Sequence, residues 1–308
     1  MTLEKQCQMS QKTDDFETQK MVDFQTSFSS SFSFLACCHL PALLYRAKSV
    51  LSHRVKTGKI VDTAMRVHQR SVLEKQARGD LVAMHFQELL LFTSSLANQK
   101  RFYCKILGLS LTAETGDSFT VQAGTTCLCF REIQLPTLYH LAFTIPRNTF
   151  GQAKDWLKQR VPLLQRKSED EIFFANINAR SFYFCDAGNN ILEYIVHYDL
   201  DQETEGGFGS ADILHVSEIG LPVEDVVAQA SVLQETFALQ PYGGPISEDF
   251  AFLGDIYGQL VLVKIGRPWL PTQTVLAAPA AVRLTISGQR KEALHLWPHP
   301  YTLAVLPS

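Results

Sequence analysis

Tyr139-His140-Leu141-Ala142-Phe143-Thr144-Ile145-Pro146 reads as a strand with a histidine near its start. About fifty residues later, Asp186-Ala187-Gly188-Asn189-Asn190-Ile191-Leu192-Glu193-Tyr194 reads as a turn feeding a strand that carries a carboxylate. An imidazole and a carboxylate on neighbouring strands of a concave sheet form a metal-ligating pair. Between them lie a helix over residues 150–160, with Phe150, Ala153, Trp156 and Leu157 on one side, and strands over 171–176 and 181–185. With a last strand at 191–197, this makes one unit of strand, helix and three strands.

The unit recurs on both sides. Upstream, residues 86–92 read as a buried strand. Ser94 or Ser95 caps a helix whose apolar residues Leu96, Phe102, Tyr103, Ile106 and Leu107 fall at helical spacing, and Gly108 stops it. Strands over 118–122 and 126–131 follow. Downstream, residues 213–220 open a third copy, with a helix through Val226, Ala230, Leu233 and Phe237 and strands over 250–253 and 260–265. Residues 281–286 open a fourth copy that does not complete. Repetition at roughly 50–70 residues decides the architecture.

Residues 1–83 lack this pattern. They are polar at first and then rich in serine and phenylalanine, as in Ser27-Phe28-Ser29-Ser30-Ser31-Phe32-Ser33-Phe34. The apolar run over 34–45 is interrupted by His39 and Pro41 and is too short for the roughly 20 residues of a spanning helix. The segment before it is acidic, unlike the basic start of a secretory signal. Residues 1–83 are therefore expected to be an unpatterned extension, with Met84 a natural start, followed by paired modules over 84–200 and a third module plus an incomplete fourth over 201–308.

Composition narrows the partners. The 308 residues are 46% hydrophobic and 19% charged, as in ordinary globular proteins, with a net charge of -3. Residues 46–83 hold nine Lys/Arg against three Asp/Glu, so the remainder is distinctly acidic and nucleic acid is not expected as its partner. Seven scattered cysteines without a CxxC pair exclude a zinc ribbon and read as reduced thiols of a cytoplasmic protein that engages no membrane.

Two stretches carry a family resemblance. Residues 88–93 followed by Phe102-Tyr103-Cys104-Lys105-Ile106-Leu107-Gly108-Leu109 resemble the FY-x-x-x-LG-[LF] helix end of the vicinal oxygen chelate superfamily. Residues 186–193 resemble its D-P-x-G-N-x-x-E turn, with Ala187 where proline is usual. The superfamily includes glyoxalase I, extradiol dioxygenases, fosfomycin-resistance enzymes and bleomycin-resistance binding proteins. Over about residues 85–288 the resemblance implies an α+β fold. Repeated βαβββ modules would form a curved, half-barrel mixed sheet with helices outside.

The resemblance also implies a site. Paired modules curl into a cup whose ligands come from the first and last strands of each. Carried onto this chain, those positions are Glu88, His140 and Glu193, with Cys129 a possible fourth ligand. The implied ion is Mn, Fe, Ni, Zn, Co or Mg with open positions, the substrate a small molecule with vicinal oxygens, and the reaction isomerase- or lyase-type proton transfer with Glu193 as the catalytic base. Glu88 in place of a first histidine counts against an extradiol dioxygenase. A metal-free binder of the bleomycin-resistance type is the alternative from another class, its groove lined by Phe130, Phe143, Phe182, Phe184 and Tyr194. Glu218 opens the third module, but Val263 stands at that module's second ligand position, so this module is expected to pack or to cover substrate. His197 reads as a sheet-edge residue or a substrate contact, and Arg267 and Trp269 as lining the cup mouth or packing on the surface. The unfinished fourth module leaves an edge suited to a homodimer. The fold hosts many chemistries, so the reaction stays open.

Overall fold

The computed structural model describes residues 83–288 and 292–307; the readings made for residues 1–82 lie outside the described residues. The first module contains β1 (Phe86–Thr93), α1 (Leu96–Arg101), β2 (Ser110–Glu114), β3 (Ser118–Ala123) and β4 (Thr126–Glu132). The second contains β5 (His140–Thr144), α2 (Phe150–Lys158), β6 (Leu163–Leu164), β7 (Ile172–Phe174), β8 (Ala179–Cys185) and β9 (Ile191–His197). The third contains β10 (His215–Val223), α3 (Val226–Phe237), β11 (Phe250–Gly254) and β12 (Gln259–Lys264). The fourth is reduced, among the described residues, to β13 (Val282–Gly288), β14 (Glu292–His295) and β15 (Tyr301–Pro307).

Two mixed sheets result, in the orders β14-β15-β13-β1-β4-β3-β2 and β11-β12-β10-β5-β9-β8-β6, with β7 also on β8. In each module the first strand runs parallel to the last, and paired modules meet through antiparallel first strands, β1 with β13 and β5 with β10. This is the α+β module fold that the resemblance implied. The pairing differs from expectation. The first module joins the fourth, and the second joins the third, so the second sheet crosses the division expected at residue 200.

The core lies on the helix side of both sheets. Leu89 and Leu91 of β1, Leu141 and Phe143 of β5, and Leu192 and Tyr194 of β9 pack in one cluster with Ala153 and Leu157 of α2 and Ala230 and Leu233 of α3. Side chains alternate across a strand, so the residues between them face the concave side. The aromatic groove of a metal-free binder is corrected here. Phe130, Phe143, Phe182, Phe184 and Tyr194 are all fully buried in the helix-side core.

The two sequence motifs hold each other. After α1 the chain widens into a π turn over Phe102–Ile106, closed by Leu107 N–H donating to Phe102 O at 2.9 Å. Tyr103 Oη and Gln99 Nε2 both donate to Asp186 Oδ2 at 2.9 Å. Asn190 Nδ2 adds a third donor at 2.8 Å, and Oδ1 accepts from the N–H groups of Gly188 and Asn190. Asn190 Oδ1 in turn accepts from Tyr139 N–H, one residue before His140. Burial pushes the Asp186 carboxyl up, and these donors pull it back. The turn therefore serves to anchor the first module on the second and to set the register at which β5 enters the site.

β2, absent from the sequence reading, is exposed along its whole length, so apolar alternation never marked it. No helix among the described residues is long and apolar enough to cross a membrane.

Candidate metal centre

β5, β9 and β10 lie side by side at the middle of the second sheet. Ala142 pairs with Glu193 on one side and with Glu218 on the other, so both carboxylates share the concave face with Ala142 and, two residues back, His140. His140 Nε2 lies 3.5 Å from Glu193 Oε2 and 3.6 Å from Glu218 Oε2, and all three side chains are buried. Each offers one ligand atom, and these atoms lie within 4.8 Å of one another.

The histidine is held in a defined tautomer. Its Nδ1 sits 3.2 Å from the carbonyl of Ile191. A carbonyl oxygen can only accept, so Nδ1 carries the hydrogen and neutral imidazole turns a lone pair on Nε2 toward the carboxylates. A second-shell bond of this type orients metal-binding histidines. The ring lies at a tilt to Trp269, at a centroid distance of 5.1 Å, and stacks on Tyr183 at 6.4 Å. Trp269 reaches His140 across Gly220, where a Cβ would lie 2.4 Å from the indole and 3.2 Å from His140 Cβ. Only glycine allows this contact. Trp269 is buried over His140 and is not a surface residue.

The electrostatics of the group are set by its burial. Burial, followed by the negative charge of Glu218, pushes the Glu193 carboxyl up to about 8, against the opposing pull of His140 and of the Ser181 and Tyr183 hydroxyls. Ser181 Oγ is close enough to bias that proton yet makes no hydrogen bond of good geometry. Burial likewise pushes Glu218 up to about 8. Burial lowers His140, offset in part by Glu193 and the Ile191 carbonyl. Two buried carboxylates and a neutral imidazole are costly together unless protonated or bridged by a cation. Two ligands about 2.1 Å from one ion at a tetrahedral angle stand about 3.4 Å apart. The spacings of 3.5 and 3.6 Å around Nε2 fit that donor set.

The structure thus brings His140 and Glu193 together with Glu218 and leaves Glu88 apart from them. Glu88 is exposed on β1 of the other sheet, paired with Cys127 and Thr285. Cys129 is half-buried on β4 of that same sheet. Both follow from the module pairing. The first sheet repeats the strand geometry, but its concave face leaves Glu88 and Arg283 in water and, among the described residues, gathers no ligand group. Glu218 was visible as the opening residue of its module. The overlooked signal is a lone carboxylate within a nine-residue strand that is buried throughout.

Paired βαβββ modules, joined at antiparallel first strands, are the fold that the resemblance to the vicinal oxygen chelate superfamily implied. The buried His/Glu/Glu group sits on the strands that line the cup. Among solved structures, the chain is similar to a putative dioxygenase from Bacillus subtilis, at 14% identity over 73% of this chain and 86% of that one, with a TM-score of 0.48. It is also similar to a glyoxalase I variant from Zea mays, at 10% identity over 73% and 92% with a TM-score of 0.44. A lactoylglutathione lyase from Agrobacterium tumefaciens matches at 17% identity over 37% and 96%, with a TM-score of 0.32. No family model and no curated protein matches the sequence.

Proposed function

We propose that the protein is a divalent-metal-dependent enzyme that moves a proton on a small molecule bearing vicinal oxygens, with His140, Glu193 and Glu218 as the metal ligands. The observation that carries this reading is the convergence of three buried donors from three strands within 4.8 Å. A bound divalent ion would supply Lewis acidity toward a substrate with two adjacent oxygens.

The chain's own residues do the rest. His140, fixed through Nδ1 by Ile191, presents Nε2 and keeps its proton away from the ligand face. Glu193 is the proton carrier. Ser181 and Tyr183 are the neighbouring hydroxyls that bias its carboxyl. Glu218 is raised by burial, which suits a ligand role. Trp269 closes the site over His140 and limits water.

Metal analysis tests this reading. The full chain, purified without chelator or tag metal, is expected to hold close to one divalent ion per molecule. Glu193→Gln and Glu218→Gln are each expected to lose it together with turnover. A wild-type protein without metal, and without a thermal shift on adding Mn, Fe, Co, Ni, Zn or Mg, overturns the proposal.

A further inference from the structure

Beneath the carboxylates the concave face carries a second set of polar groups. Strand register places Thr144 beside His215 and beside Ile195, which in turn pairs with Ser181. This row lies two residues below the row of Glu218, Ala142 and Glu193, a step of about 7 Å along the strands. One step further down is His197, paired with Ala179. Thr144, Ser181 and His197 are fully buried and His215 nearly so. Thr144 Oγ1, His215 Nε2 and both ring nitrogens of His197 have no hydrogen-bond partner among the described residues.

Buried donors and acceptors are normally paired, so several orphans on one face call for an explanation. The walls between them are small or apolar. Ala142, Ala179, Ile195, Tyr242 and Ile256 cluster there. The charge balance is also informative. Two carboxylates match one divalent ion, and the row around Thr144 contains neither lysine nor arginine, so nothing remains to neutralise an anionic ligand. Burial keeps His197 and His215 neutral, at about 4 and about 3, and a neutral imidazole offers one donor and one acceptor.

From this row we infer that the site recognises an uncharged molecule with a hydroxyl, or a similar donor–acceptor group, about 7 Å or more from its two vicinal oxygens, and that Thr144 reads that group with His197 one strand step beyond it. The inference rests on the metal reading above and names its substrate class. His197 is then a ligand contact, the alternative to its edge role.

The test uses the full chain loaded with Mn(II) and three probes: 4-methylcatechol, 4-(hydroxymethyl)catechol and 3,4-dihydroxybenzoate. Calorimetry is expected to show the hydroxymethyl compound binding about tenfold tighter than the methyl compound, as one well-paired buried hydrogen bond provides. The benzoate is expected to bind most weakly. Thr144→Val and His197→Phe should each erase the preference for the hydroxyl while leaving methyl-compound affinity within about twofold. Thr144→Val should also keep or raise Tm, because it removes an unpaired buried hydroxyl without changing shape; a purely structural threonine would lower it. Equal affinities for the three probes, none included, overturn the inference while Mn(II) binding leaves the metal reading standing. Failure of wild-type protein to bind Mn(II) overturns both.

Discussion

Glu218→Gln separates a metal centre from a merely buried acidic pair. In metal-free protein burial pushes the Glu218 carboxyl up to about 8 in the folded state, from the ordinary glutamate value of 4.5. Because the folded state holds that proton more tightly, its contribution to stability is complete below pH 4.5, declines as pH rises, and levels off above about 8. At about 1.4 kcal/mol per pH unit, the 2.5 units between 4.5 and pH 7 amount to roughly 3 kcal/mol of destabilisation. Neutral glutamine removes this term and relieves the repulsion on Glu193. In EDTA at pH 7 to 8, Glu218→Gln is therefore expected to melt higher than wild type, by roughly 10 °C for a unit of this size. The two proteins should converge near pH 4.5. Excess Mn(II) should reverse the order by stabilising wild type, by about 3 kcal/mol at one hundred times Kd, with little gain for the variant. Parallel pH profiles in EDTA, or equal stabilisation by Mn(II), would refute the reasoning.

Other outcomes follow from the same geometry. Glu88→Gln should leave metal content unchanged and shift stability by less than about 0.5 kcal/mol, since the side chain is exposed; a loss of metal would restore the sequence-based ligand set. Asp186→Asn points an amide group at donors that need an acceptor and should cost at least about 3 kcal/mol by urea unfolding. An unchanged midpoint would remove the turn as the anchor between modules. Gly220→Ala drives a methyl into Trp269 and should change the tryptophan emission and lower Tm by several degrees, whereas an unaltered spectrum would mean the indole does not lie over His140.

Short-range pattern carried much of this molecule. Period-two and period-3.6 spacing marked the repeated modules, and the strand at Ile191–His197 is found at the residues read from sequence. His140 and Glu193 were legible because both lie in one module, at offsets that a parallel pair of first and last strands brings together. The helix-side position of Phe143 and Tyr194 was equally readable, since each is one residue away from a site position on an alternating strand. Pairing between modules was not legible. Every module opens with a strand able to meet another antiparallel, and local spacing does not say which two will meet.

The sequence by itself determined the modules, their internal register and the two site residues that a single module contributes. Tertiary structure alone decided that β5 meets β10 rather than β1, and so that Glu218, not Glu88, completes the group. The physical reason is that strand pairing over such separations is settled by which apolar faces bury one another across the whole core. A carboxylate acquires its chemistry only once that choice has placed it in water or out of it.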